Sequence, residues 1–135
     1  MLEKQNKDIV RRLFKELNKG NFDVFDEIFA EDFIDRYPAG GETPTKEGLK
    51  QYIVSTCKPF PDFHWSPEDI IAEGDKVVCR LMMQGTETGG FMGMPPTGNK
   101  VIFAGVSIFR FANNKVVERW YVGDNMTLFR QLGLV

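Results

Sequence analysis

The chain is organised around the apolar pattern from Val101 to Leu132, which predicts two strands, a tight turn and a closing turn of helix. In VIFAGVSIFRFA, Val101, Phe103, Phe109 and Phe111 alternate with Ile102, Ala104, Val106 and Ile108, and Arg110 is the sole charge. Apolar residues on both alternating faces predict a strand inside a sheet that is covered on both sides. Asn113-Asn114 marks the turn, and KVVERWYVGDN follows as the next strand. An unbroken period of two puts Trp120, Val122 and Asp124 on one face of that strand, so an acid closes an apolar row.

Upstream the period changes. Residues 2 to about 19 predict an amphipathic helix with Ile9, Val10, Leu13, Phe14 and Leu17 on one side and Gly20 as its left-handed stop. Asn21 is placed to cap a second, shorter helix with Phe22, Phe25, Ile28 and Phe29 as its inward stripe. Phe33 to Tyr37 suits a short strand before the loop PAGGETPT. Thr43-Pro44 then reads as a cap followed by proline at the first helical position. Leu49, Tyr52, Ile53 and Cys57 keep helical spacing until Pro59 and Pro61 end the helix.

From Phe63 the pattern is that of strands. Trp65 to Ala72 runs into the turn Glu73-Gly74-Asp75-Lys76, and KVVCRLMMQGTE answers it as the second arm of a hairpin. GTETGGFMGMPPTGNK then separates this hairpin from the final one, with five glycines and two prolines. A connection of that length is either a binding loop or lid, or a loose turn. Helix, helix, short strand, helix and four hairpin-joined strands make an α+β order in which three N-terminal helices gather on one face of a curved antiparallel sheet. Such a sheet wraps them as a cone-shaped barrel, whose apolar mouth suits a small ligand.

Composition narrows the function classes. At 135 residues the chain is read as one domain, 1–135, with room for a core and a cavity. Hydrophobic residues make up 42% and charged residues 27%, a soluble globular balance. With 17 Lys and Arg against 19 Asp and Glu the net charge is −2, which disfavours nucleic acid as a partner. MLEKQNKDIV holds no apolar signal core and no run is long enough to span a membrane. Cys57 and Cys79 lack metal-type spacing and read as buried fillers. Together these features suggest a reducing, cytoplasmic setting.

The stretches FPDFHW, EDIIAEGDKVVCR, G-T-x-T-G…MGMPPTG and VERWYVGDNMTLFRQLG resemble the SnoaL-like polyketide cyclase, or ester cyclase, family of the nuclear-transport-factor-2-like superfamily. The resemblance runs from about Phe22 to Leu134. It implies a cone-shaped α+β barrel and an intramolecular aldol ring closure without metal or cofactor, with an aspartate as acid and base. The aspartate of W-x-x-x-D falls on Asp124. It also implies a homodimer formed through the open face of the sheet. Two departures stand out: Glu87 occupies the centre of the G-T-H-T-G of relatives, and Glu118-Arg119-Trp120-Tyr121 stands where E-H-W-D is common.

Among candidate residues, Asp124 has two readings. In a dry cavity its pKa would rise into the range of a carbon-proton base. Preceding MTLFRQL, it would instead cap a helix. Arg80 shares a face with Val78, Met82 and Gln84 and needs an anion, either a substrate oxygen or a protein carboxylate. His64, the single histidine, is a possible second proton carrier or a structural neighbour of Trp65. One histidine gives no zinc site of the usual kind, and the acids lack calcium-loop spacing. Trp120, Tyr37 and Tyr52 are candidate cavity walls with polar tips, Tyr37 also as a holder of an enolate oxygen, and Met92 and Met94 could adapt to a ligand. The reading that follows is a cofactor-free acid/base enzyme, of cyclase or isomerase type, acting on a small apolar carbonyl compound. Its alternative is a non-catalytic ligand-binding or dimerising module that keeps the cone.

Overall fold

A computed structural model describes residues 1–38 and 42–135; the loop expected at PAGGETPT falls partly on 39–41, outside the described residues. The elements follow in the order α1 (Leu2–Asn18), α2 (Val24–Ile28), β1 (Phe29–Asp35), α3 (Lys46–Cys57), β2 (His64–Glu73), β3 (Lys76–Thr86), β4 (Lys100–Ala112), β5 (Lys115–Gly123) and α4 (Asn125–Gln131). The strands form a curved, unclosed five-stranded sheet in the order β1-β5-β4-β3-β2.

The helices form where the apolar spacing demands. α1 buries Val10, Leu13, Phe14 and Leu17, and Gly20 at φ +81° takes the left-handed position that stops it. Two helix starts differ from expectation. Asn21 bonds back to Glu16 at 3.3 Å, and Asp23 stands at the start of α2. Thr45, not Thr43, caps α3, accepting from the Gly48 N–H at 3.1 Å. Pro44 is therefore outside the helix, where its carbonyl accepts from the Asp35 N–H at 3.0 Å.

β1 begins at Phe29, four residues earlier than the pattern around Phe33 suggests, and it lies parallel to β5. The sheet is thus mixed rather than wholly antiparallel. The three other pairings are antiparallel: β2 with β3 closes at Glu73↔Lys76, and β4 with β5 turns at Asn113 and Asn114, whose φ angles of 53° and 64° both lie in the left-handed region a two-residue hairpin turn requires.

The core sits between the helices and the concave face. Val101, Phe103, Phe109 and Phe111 of β4 are buried there with Val77, Cys79, Leu81 and Met83 of β3. The opposite face of β4 is not covered within one chain: Ile102 is 50% and Val106 40% exposed. All three N-terminal helices lie on one side, so the second dry face expected of this strand lacks a cover here. α4 closes the end of β4 instead, its Gln131 side-chain amide pairing with both the N–H and the carbonyl of Ile102 at 2.8 and 3.0 Å. No described helix is long and apolar enough to cross a membrane.

Candidate functional site

Small residues in a bulky row make the hollow. On the inward face of β4, Gly105 and Ser107 interrupt the series of Val101, Phe103, Phe109 and Phe111; Tyr121 takes the space over Gly105, and Ser107 lines the hollow. The result is a cavity of about 670 Å³, walled mostly by apolar side chains from α1, α3, the sheet and the start of α4.

One buried polar cluster in that wall is built by β1 and β5. A β-bulge places Val117 as the extra residue of β5, since Phe111 pairs with Val116 but Arg110 pairs with Glu118. One extra residue exchanges the two faces of a strand. After the bulge Arg119, Tyr121 and Gly123 therefore face the cavity. Asp35, the last residue of β1, is the register neighbour of Arg119.

Arg119 donates from Nη1 to Asp35 Oδ2 at 3.0 Å, with the two side chains only 11% and 4% exposed. Burial lowers the guanidinium's pKa and the Asp35 carboxylate opposes that, leaving a cation at neutral pH. The Tyr37 N–H donates to the other oxygen, Asp35 Oδ1, at 3.3 Å. The guanidinium also sits 4.8 Å from the centre of the Tyr121 ring, a cation–π contact. Tyr121 lies against Gly105 and Gly123, a register pair of β4 and β5. A Cβ at either glycine would fall 2.6 or 2.5 Å from the Tyr121 hydroxyl, so only glycine leaves this slot open. Burial pushes the Tyr121 phenol up to about 12, with Arg119 pulling the other way. Tyr52 of α3 also lines the cavity, close enough to act electrostatically on both groups.

The candidates from sequence divide. Tyr37, Tyr52 and Met92 line the cavity. Asp124 does not: it is exposed and caps α4, accepting from the Thr127 N–H at 3.1 Å and the Thr127 hydroxyl at 2.6 Å. Those bonds, the hydroxyl's first, lower its pKa, the opposite of what a carbon-proton base needs. Trp120 shares a face with Val122 and Glu118, but after the bulge that face is the outer one. Arg80 is exposed on the outer side of β3 and pairs with Asp69 at 2.7 Å. His64 is exposed at the start of β2 opposite Gln84 and does not reach the cavity.

Asp35, Arg119, Tyr121 and Ser107 went unnoticed in the sequence. The small Ser107 among the bulky inward residues of β4 was the legible sign of where space opens. Glu87, also buried at 1% exposure, lies at the base of the loop between β3 and β4, and its side chain bonds to Gly90 and Thr97 of that loop. Among the described residues no three His, Cys, Asp or Glu side chains come together as a metal site would need.

This architecture has known counterparts. The SnoaL-like polyketide cyclase family model matches residues 7–132. IdmH of Streptomyces antibioticus, a candidate polyketide cyclase, is 32% identical with a TM-score of 0.87, over 96% of this chain and 99% of that one. A candidate SnoaL-like polyketide cyclase from Jannaschia sp. CCS1 is 27% identical with a TM-score of 0.87, over 99% and 95% of the two chains. AclR of Streptomyces galilaeus, a candidate hydroxylase, is 27% identical with a TM-score of 0.89, over 98% and 87%. No curated protein matches the sequence. From the family match, carried by nearly the whole chain and the same curved sheet, the protein belongs to the SnoaL-like polyketide cyclase family.

Proposed function

We propose that this protein is a cofactor-free acid/base enzyme of cyclase or isomerase type, acting on a small, largely apolar carbonyl compound held in the cavity. The observation that carries the reading is the buried Asp35–Arg119–Tyr121 cluster in a largely apolar wall. A carboxylate, a cation and a phenol gathered at one place supply what enolate chemistry requires.

The Asp35 carboxylate takes a proton from the carbon beside the substrate carbonyl, and the electron pair of that C–H bond moves into the enolate. Negative charge grows on the carbonyl oxygen, where the Arg119 guanidinium and the hydroxyl of Tyr121 or Tyr52 can share it. In a cyclase the enolate carbon then attacks a second carbonyl of the same molecule, and the new alkoxide recovers the proton from Asp35. In an isomerase the proton returns to a different carbon. Asp35 and Arg119 thus take the roles that the sequence assigned to Asp124 and Arg80.

A panel of ketones with activated methylene groups, incubated with the protein in D2O, tests this without knowledge of the natural substrate. Proton–deuterium exchange at carbon, followed by NMR, should be accelerated by the wild type and lost in Asp35→Asn. Exchange no faster than in buffer across the panel would count against the enzyme and leave a ligand-binding module.

The outer sheet face supports a homodimer. Val106 and Val122 are register partners on β4 and β5, 40% and 67% exposed, and Ile102, 50% exposed, lies on the same outer face of β4 beyond Ala104. Exposed apolar residues gathered on one sheet face suit a second copy of the chain. Light scattering should give twice the monomer mass, and Val106→Lys should return it to the monomer mass. A monomeric wild type would remove the dimer.

A further inference from the structure

We propose that Glu87 is a positioning residue that fixes the shape of the cavity mouth, and so which ligands fit, by holding the loop from Thr88 to Gly98 in one conformation. This deepens the proposed function and rests on its reading of the cavity as a ligand site.

Glu87 follows directly on β3. Its backbone extends the β3–β4 ladder, its N–H donating to the Asn99 carbonyl at 2.9 Å and its own carbonyl accepting from the Gly98 N–H at 2.8 Å. The side chain turns into the loop. One carboxylate oxygen accepts from the Gly90 N–H at 2.6 Å, and the other from the N–H and hydroxyl of Thr97, both at 2.8 Å. Among the described residues the buried charge is met by the loop dipoles of Gly90 and Thr97. The N–H of Thr97 contributes most to keeping the carboxylate ionised. Charged hydrogen bonds of this kind are the strong ones, and both ends of the loop converge on them.

The loop thus held forms part of the wall. Thr88 and Gly89 donate to the Pro59 carbonyl at 2.9 and 3.3 Å, tying it to the end of α3. Phe91 stacks near Phe60 and Phe129, with ring centres 5.8 and 6.4 Å apart, and lines the cavity together with Met92. Met92 has φ 52°, a left-handed conformation that a methionine adopts only where its surroundings impose it. The turn from Phe91 to Met94, closed by the Met94 N–H donating to the Phe91 carbonyl at 3.0 Å, imposes it, and Glu87 holds the segments on either side of that turn at Gly90 and Thr97. Without that anchor Phe91 and Met92 would no longer hold a fixed outline.

The experiment uses the full chain as wild type, Glu87→Ala and Glu87→Gln. It measures amide hydrogen exchange by NMR and the affinities of two neutral probes, Nile red and the smaller 2-naphthol. Glu87→Ala should speed exchange at Gly90 and Thr97 by about tenfold or more, leaving Leu81 and Phe103 unchanged. It should also change the ratio of the two probe affinities by about tenfold. Glu87→Gln can still accept from Thr97 but turns an NH2 toward the Gly90 N–H, so exchange should rise at Gly90 alone. Unaltered exchange in Glu87→Ala overturns the anchoring role. A loosened loop with an unchanged probe ratio overturns the selectivity. A wild type that binds neither probe overturns the ligand-site reading and the selectivity with it, while exchange still decides whether Glu87 holds the loop.

Discussion

Asp35 and Arg119 are register neighbours across the parallel β1–β5 pair, and their side chains meet at 3.0 Å inside the cavity wall. Removing one member of a buried ion pair leaves the other charged and unsolvated. Arg119→Ala is therefore expected to destabilise the fold by about 3–5 kcal/mol, measured by denaturant unfolding. Asp35→Asn keeps the shape and an acceptor oxygen and should cost less stability. It should nevertheless reduce catalysed carbon-proton exchange by about 100-fold or more, because the base is gone. Equal stability losses in both variants with exchange intact would reverse the assignment.

Gly105 and Gly123 make the slot for Tyr121. A methyl group at either would press on the Tyr121 hydroxyl at under 3 Å. Gly123→Ala is expected to lower stability by about 1–3 kcal/mol, the usual cost of overpacking. The companion variant Gly123→Ala/Tyr121→Phe should recover part of that loss, since the hydroxyl is the nearest clashing atom. Thermal unfolding of the two proteins checks the sign.

Asp124→Ala separates the cap from the catalyst. The exposed carboxylate holds the first turn of α4 through Thr127. Its loss should lower the melting temperature slightly while ligand affinity and carbon-proton exchange stay as in the wild type. Abolished exchange with the fold intact would restore Asp124 to the chemistry.

Tyr121 should report its burial on titration. Its phenol is raised from the ordinary 10.0 to about 12, so near-ultraviolet phenolate absorbance should show a late component that Tyr121→Phe lacks. The sign for stability follows from the neutral form being favoured in the fold. Below pH 10 both states keep the proton and the residue adds no pH dependence. Above it the unfolded chain loses its proton first, so stability falls as pH rises toward 12. A wild-type profile identical to that of Tyr121→Phe would show the ring to be solvated.

What the amino-acid order determined by itself was local. The 3.6-residue spacing in Val10, Leu13, Phe14 and Leu17, the Gly20 stop, the two tight hairpin turns and the period of two in β4 each depend on neighbours in sequence, and each appears in the structure. The pairing of Trp120 with Val122 on one face was also readable. Which face it was depended on Val117, an extra residue that only the pairing with β4 reveals as a bulge. That single insertion sent Trp120 outward and brought Arg119 and Tyr121 into the cavity. Asp35 stands 84 positions from Arg119, and the parallel β1–β5 contact that joins them has no local signature. In an open chain water screens the two charges and bringing them together costs loop-closure entropy, so the pair exists only once the sheet has assembled around it.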